Sequence, residues 1–210
     1  EAEAEAHPPT FGESGTYNKP GHFKYKNVNN DDVINDEDRT IIGSPHPDFT
    51  AGLTLNLEYR NFFLNSFLFT SYGNEVVNQP RRYIDFNLFS GNRSKRALHE
   101  SWGSPYLSSN EDAVMPIVEN DDAGSQYPST YYVEDGSYLR MENLMVGYNF
   151  TNLFTQRDRI QVYAQVTNLF TITDYSGLDP EIGRGGMSNG VDAGAWPTPR
   201  QFLFGVNIDF

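Results

Sequence analysis

The sequence lacks cysteine altogether and is poor in basic residues relative to acidic ones. Without a thiol, a disulfide framework, thiolate catalysis and a cysteine-ligated zinc site are all excluded. There are 15 Lys and Arg residues against 28 Asp and Glu residues, which gives a formal net charge of −13. Because neutralising phosphates needs clustered Lys and Arg, no nucleic-acid partner is expected. The one basic cluster, "NRSKR" at 92–96, is interpreted as a solvated loop.

Long apolar runs are missing as well. No stretch of 18 consecutive apolar residues occurs, so the sequence predicts no transmembrane helix. Phosphate loops, dinucleotide fingerprints and nucleophile elbows are also absent from the sequence, since "GRGG" at 183–186 has neither a preceding strand nor a following helix. We therefore expect no organic cofactor.

The first six residues, "EAEAEA", resemble the remnant of a yeast secretion leader. The recombinant chain is then expected to be secreted from yeast, and residues 1–6 are excluded from fold reasoning.

What the sequence does contain is the period-two alternation of β-strands. Five strands are predicted, at about 49–59, 61–73, 138–150, 159–173 and 200–210. In the third of these, "YLRME" is out of phase with the residues that follow, which predicts a β-bulge near Glu142. The last strand, "QFLFGVNIDF", has an apolar residue at every even position. The fold class is therefore predicted to be all-β.

The connections between the strands alternate short, long, short, long. "YRN" and "TNLFTQRD" leave room for tight turns, whereas 74–137 and 174–199 are long loops, and 7–47 is a further loop region. This rhythm is typical of the antiparallel up-and-down strands of an outer-membrane β-barrel, which are joined by tight turns at one rim and by long loops at the other. A β-sandwich with the same order of connections is the alternative.

Four segments carry a further signal: "GHFKYKNVNNDDVINDEDRTIIGSPHPDFTAGLTLNLEYRNF", "YYVEDGSYLRMENLMVGYNF", "QVYAQVTNLFTITDYSGLDPEIG" and "PTPRQFLFGVNIDF". Together they resemble the C-terminal part of SusC/RagA-type TonB-dependent outer-membrane transporters. The resemblance implies a wide barrel with a plugged lumen in a bacterial outer membrane, to which this chain contributes the last strands and the outer loops. It also implies that Phe210 is a signal for the outer-membrane assembly machinery.

For function, the resemblance implies uptake of glycans or peptides. The implied partners are the rest of the barrel and its plug, a surface glycan-binding lipoprotein of the SusD type, a glycan substrate, and TonB through an N-terminal part that this chain lacks. The even face of the last strand is then interpreted as facing lipid and the odd face as facing the lumen.

One acidic stretch, "NVNNDDVINDED" at 27–38, has the spacing of a calcium-binding loop. The predicted oxygen ligands are Asn27, Asn29, Asp31, the Val33 carbonyl, Asn35 and Asp38. Calcium takes six to eight hard oxygens on a flexible loop. The pattern departs from the usual one at Asn27, where aspartate is expected, and at Asp32, where glycine normally turns the chain. A solvated acidic loop is therefore the alternative.

Three loop aromatics, Trp102, Tyr175 and Trp196, are candidates for stacking on sugar rings, with packing of the loops on themselves as the alternative.

Paired carboxylates suggest a second function, because a glycoside hydrolase needs an acid and a base. The candidates are Asp179, Glu181, Glu134 and Asp135. The resemblance gives their motifs as structural junctions between loop and strand. The leading hypothesis is an uptake transporter, and the alternative is a secreted polysaccharide hydrolase.

Overall fold

The computed structural model describes residues 2–8, 10, 18–86, 91–119, 127–151, 159–182 and 189–209. Its helices are α1 (Ala2–Ala6), α2 (Pro80–Ile84) and α3 (Lys95–His99), with 3₁₀ turns at Asp36–Asp38, Asn110–Asp112 and Thr130–Tyr132. Its strands are β1 (Phe49–Tyr59), β2 (Phe62–Tyr72), β3 (Glu75–Asn78), β4 (Val133–Asp135), β5 (Tyr138–Thr151), β6 (Arg159–Thr173), β7 (Val191–Asp192) and β8 (Gln201–Asp209). Among the helices described, none combines the length and the hydropathy needed to cross a membrane.

The five long strands form one antiparallel sheet in the order β1, β2, β5, β6, β8. Each long strand pairs with the next long strand along the chain, which is the predicted up-and-down arrangement. The strands begin and end within one residue of the predicted bounds. Residue 210 and most of the turn between β5 and β6, at 152–158, lie outside the described residues.

The hairpin between β1 and β2 closes through two residues, Arg60 and Asn61, with Tyr59 opposite Phe62. Arg60 has a φ of 56°, in the left-handed region that a tight hairpin turn requires. Its guanidinium lies 5.4 Å from the centre of the Tyr59 ring, so a cation–π contact covers the turn.

The predicted bulge is confirmed at Glu142. Against β2, the pairing of β5 passes directly from Met141 to Asn143, while their partners Leu68 and Phe67 are consecutive. A bulge adds one residue to one strand and so resets which side each following residue faces. This shift is why Met141 and Leu144, which are three residues apart, lie on the same face of the sheet.

One face of the sheet is almost wholly apolar. Following the register from strand to strand, it contains Phe49, Ala51, Leu53, Leu55, Leu57, Tyr59, Phe62, Leu64, Leu68, Tyr72, Leu139, Met141, Leu144, Val146, Tyr148, Phe150, Ile160, Val162, Ala164, Val166, Phe170, Ile172, Phe202, Phe204, Val206 and Ile208. Ser66 and Thr70 are its polar members. Much of this face is exposed: Leu53 keeps 62% and Phe204 79% of its accessible surface.

Aromatic rings gather at both ends of this apolar face. Near the tight turns, the Tyr148 ring lies 4.7 Å from Phe62 and 4.6 Å from Phe150. At the loop end, Phe49 and Tyr72 stack at 5.4 Å. Aromatic residues at the two ends of an apolar band are typical of strands that span a membrane, where the rings lie at the level of the headgroups.

The opposite face is lined by amides and by rings that lie over glycines. The Gln161 side chain donates to Asn149 Oδ1 at 3.0 Å and accepts from Asn207 Nδ2 at 2.9 Å. The Phe63 ring covers Gly147, where an added Cβ would also come 2.6 Å from the Val162 carbonyl oxygen. This face is therefore polar in its hydrogen-bonding groups, and it has no room for a larger side chain at Gly147.

Two compact units make up the chain. The first comprises 1–43 and 77–133, and the second comprises 44–76 and 134–210 with the five-stranded sheet. A second, smaller sheet has the order β4, β3, β7. The sequence predicted 7–47 and 74–137 as separate loop regions, whereas the structure places most of both in the first unit.

A buried polar network orders the first unit. Both carboxylate oxygens of Asp85 are used: Oδ2 accepts from Arg81 Nε at 3.2 Å and Tyr131 Oη at 2.9 Å, and Oδ1 accepts from Ser94 Oγ at 2.6 Å. The Arg81 guanidinium also lies 4.1 Å from the centre of the Tyr131 ring. Burial, and then the charge of Asp85, raise the pKa of Tyr131. The ring of Phe86 packs on the Tyr131 ring at 5.6 Å, so this long loop has a core of its own.

Candidate functional site

A buried group of charged side chains in the second unit surrounds Arg140 of β5. Its side chain is buried, with 3% of its surface exposed, and it binds three partners. Nη2 donates to Asp179 Oδ1 at 2.5 Å, Nη1 to Glu181 Oε2 at 2.6 Å, and Nε to Thr171 Oγ1 at 2.9 Å. Both carboxylates come from the loop 174–199, so one buried arginine fastens that loop to the sheet.

Asp179 is the buried carboxylate of this group, with 8% of its side chain exposed. Besides Arg140, it accepts hydrogen bonds from the backbone N–H of Thr198 at 2.9 Å and of Glu181 at 3.0 Å. Burial alone acts to raise its pKa, but these backbone hydrogen bonds and the Arg140 guanidinium outweigh it, so the pKa of Asp179 lies below its ordinary value. The carboxylate is therefore charged at neutral pH.

This geometry bears on the proposed catalytic carboxylates. The general acid of a glycoside hydrolase needs a raised pKa, and Asp179 has a lowered one. Glu134 accepts from the backbone N–H and the hydroxyl of Ser176, both at 2.8 Å, and Asp135 accepts from the Ser137 N–H at 2.8 Å. The arrangement favours the interpretation of these carboxylates as junctions between loop and strand.

The structure separates the three candidate stacking residues. Tyr175 is buried, with its hydroxyl donating to Asp192 Oδ2 at 2.7 Å, which favours packing within its loop. Trp196 is 95% exposed. Trp102, in the first unit, is partly buried and lies against Gly21, where an added Cβ would come 2.6 Å from its Cδ1 atom. Of the three, only Trp196 presents a free ring face.

Pro197 and Thr198, the two residues that follow Trp196 in the chain, line a cavity of about 280 Å³ in the second unit. Its lining includes Arg140, Asn168, Leu178, Pro197, Thr198 and Arg200. Within the same loop, Asp192 Oδ1 accepts from the N–H groups of Gly194 at 2.8 Å and Ala195 at 3.1 Å. The chain on both sides of Trp196 is thus held by a carboxylate, since Asp179 binds the Thr198 N–H.

The predicted calcium loop is closed by its own side chains. Asp38 accepts from the N–H groups of Val28 at 2.7 Å and Asn35 at 2.9 Å, and these hydrogen bonds, Asn35 first, lower its pKa. Asp31 accepts from the Val33 N–H at 2.9 Å. The left-handed residue is Asn30, with a φ of 60°, and Asp32 has no positive φ. The described residues hold no cluster of three or more His, Asp or Glu side chains suited to a metal, so the calcium ligands stay a prediction.

Sequence reasoning missed Arg140 as the centre of this site. The signal was present, because an arginine occupies an inward position of a predicted strand, where a charge needs a partner. Its partners lie 39 and 41 residues further along the chain, beyond any spacing rule for strands.

Comparisons with known proteins find TonB-dependent receptors as relatives of this chain. It is 35% identical over 201 residues to TonB-dependent receptor P3 of Formosa agariphila, and the alignment covers 91% of this chain and 19% of the receptor. It is 32% identical over 196 residues to TonB-dependent receptor SusC of Bacteroides thetaiotaomicron, which covers 91% of this chain and 18% of SusC. No protein-family model matches the chain.

Among solved structures, the RagAB peptide transporter superposes with a TM-score of 0.65 and 27% identity, over 80% of this chain and 18% of the transporter chain. The closed state of the RagAB peptide importer gives the same TM-score with 25% identity. The chain therefore spans about a fifth of the length of the relatives it matches. The predicted fold is confirmed, since the antiparallel sheet corresponds to part of these receptors.

Proposed function

Because this chain is homologous to a segment of SusC/RagA-type TonB-dependent receptors, we propose that it serves in an outer-membrane uptake transporter. In this proposal the sheet forms part of the barrel wall and the long loops face the outside and the substrate. The imported substrate is a glycan or a peptide. The relatives bear the names of receptors and transporters, which gives the hydrolase alternative no support.

One observation carries this proposal, namely the exposed apolar face of the sheet. Burying apolar surface releases about 25 cal/mol per Å², so a face in which Leu53 and Phe204 stay mostly exposed is costly in water. A monomeric soluble protein seldom exposes so large a continuous apolar patch. Lipid removes this cost, and the aromatic rings at both ends of the face mark the two membrane interfaces.

The partners follow from the same proposal. The edge strands β1 and β8 present unpaired backbone groups along one side each, and such edges require further strands inside a membrane. We propose that the rest of the parent barrel supplies them and that its plug meets the polar face. A surface lipoprotein of the SusD type and TonB are partners of the whole receptor, the latter through a part outside this chain.

The proposal is tested by reconstituting the chain in phospholipid vesicles and floating the vesicles on a density gradient. We expect the chain to float with the lipid and the β-strands to resist added protease, while cleavage occurs within 74–137 and 174–199. The proposal would be contradicted if the chain were a monodisperse monomer in detergent-free buffer and stayed at the bottom of the gradient when mixed with vesicles. For uptake itself, the measurement is import of oligosaccharide by cells whose receptor carries this segment.

Calcium binding at 27–38 is a separate prediction. The two oxygens of one carboxylate together offer about four lone-pair sites. Asp31 and Asp38 can therefore accept their backbone hydrogen bonds and still ligate an ion. At a dissociation constant of about 1 mM, 10 mM calcium chloride is expected to stabilise the fold by about 1.4 kcal/mol. The change is measured as a shift in thermal unfolding, which Asp31→Asn should remove. Asp36→Asn, outside the predicted ligand set, is the matched control. An equal shift in all three proteins, or none in the wild type, would refute the site.

A further inference from the structure

Trp196 stands out among the loop residues because its side chain is exposed while its backbone is held. The indole keeps 95% of its accessible surface. On its N-terminal side, Asp192 binds the N–H groups of Gly194 and Ala195. On its C-terminal side, Asp179 binds the Thr198 N–H. A rigid aromatic side chain loses little entropy when a ligand binds, so the loop is preorganised for contact.

Two further features keep this short stretch in place. Pro197 and Pro199 restrict the backbone dihedral angles, and Asn168 Nδ2 donates to the Pro199 carbonyl oxygen at 3.1 Å. Proline has no N–H, so this stretch cannot form a regular ladder with an added peptide strand. The geometry therefore disfavours recognition of an extended peptide by strand addition.

The cavity that Pro197 and Thr198 line next to Trp196 in the chain is also lined by two arginines with different surroundings. Arg140 is neutralised by Asp179 and Glu181. Arg200 is exposed, and it makes no hydrogen bond or ion pair with any part of the chain that the structure describes. A guanidinium is planar and binds a carboxylate with two parallel hydrogen bonds. Arg200 is thus the group in this cavity that is available to an anionic ligand.

We propose that Trp196 and this cavity form a subsite for one acidic sugar unit of a glycan. The indole face covers the apolar C–H face of the sugar ring, and the Arg200 guanidinium binds its carboxylate. This inference rests on the proposed uptake function and names the class of substrate. The net charge of −13 repels polyanions at a distance, so the recognition of the acidic unit depends on the short contact with Arg200.

The experiment uses the only two tryptophans of the chain. Trp102→Phe leaves Trp196 as the sole indole, and its fluorescence is followed in vesicle-reconstituted protein. The probes are a galacturonic acid tetrasaccharide and a galactose tetrasaccharide of the same length. We expect the acidic probe to change the Trp196 emission saturably, and Trp196→Ala to weaken binding of both probes in calorimetry by about tenfold or more.

Arg200 separates the two parts of the contact. Arg200→Gln is expected to lower the affinity for the acidic probe by about 10- to 100-fold, as for loss of a hydrogen bond to a charged group. The affinity for the neutral probe should not change. Arg200→Lys should fall between these values because it keeps the charge and loses the planar fork. Arg159→Gln, which removes an exposed arginine from β6, is the matched control and should change neither probe.

Three results would overturn the inference: equal affinity of the wild type for both probes, no effect of Trp196→Ala, or quenching of Trp196 by brominated lipid, which would place the indole in the membrane. Flotation of the same samples separates this inference from the proposed function. A chain that floats and ignores the acidic probe refutes the subsite alone, whereas a chain that does not float refutes the transporter proposal.

Discussion

Replacing Val146 with arginine is expected to cost about 2–4 kcal/mol of stability in a bilayer, as for a basic residue near the midplane on the lipid side of a barrel. Val146 lies in the middle of the apolar face, opposite Leu64 on one side and Ala164 on the other, and it is exposed. In lipid, the arginine would have to leave the hydrocarbon region or take water with it. We would measure the loss by urea unfolding of the chain in vesicles.

The neighbouring residue provides the control. Met145 is on the opposite, polar face, paired with Asn65 and Gln165, so Met145→Arg places the same charge one position away among amides. We expect it to change stability by less than about 1 kcal/mol, as for a substitution facing water. If both variants unfolded at the same urea concentration, the assignment of the apolar face to lipid would be wrong.

Arg140→Met is the second substitution with a large expected effect. It would leave the carboxylate of Asp179 buried without its cation, and breaking a buried ion pair in this way costs about 3–5 kcal/mol. Because Glu181 is half exposed, its ion pair adds little, so we expect a value near the lower end. Limited proteolysis should show faster cleavage within 174–199, since the loop loses its attachment to the sheet.

The matched control is again Arg159→Gln, which removes an exposed arginine from the adjacent strand. The pH dependence gives a second measurement. The pKa of Asp179 in the fold lies below its ordinary value of 3.8, so its contribution to stability is present above that value and is lost as the pH falls through the folded pKa. The wild type and Asp179→Asn should therefore differ less in free energy of unfolding as the pH falls. If this difference stayed constant to below pH 3.8, the ion pair would not be its cause.

Alternation of apolar and polar residues was sufficient to predict four of the five strands. A residue in a strand faces one side or the other with a period of two, so these strands and the phase change at Glu142 are written in the local sequence. The second strand, 61–73, alternates poorly and was predicted from its strand-like composition, since Ser66 and Thr70 lie on the apolar face of the sheet. The alternation in "QFLFGVNIDF" likewise assigns Phe204 and Gly205 to opposite faces, as the register places them.

The buried networks could not be predicted in this way. Asp85 and Tyr131 meet across 46 residues that show no periodicity, and Arg140 meets Asp179 across 39. Such contacts depend on how loops close, which local spacing does not record. The same limit applies to the stacking candidates, because Tyr175 and Trp196 look alike in sequence and differ in burial only after the loop has folded around Asp192.

The Gly136 N–H donates a hydrogen bond to the Asn74 carbonyl oxygen at 2.8 Å. These two residues flank the long segment 75–135, so its two ends lie next to each other at the edge of the main sheet. An insertion whose two ends are adjacent can grow, shrink or be exchanged while the strands on either side keep their register. The length and content of 75–135 can therefore change without moving the register of β2 against β5.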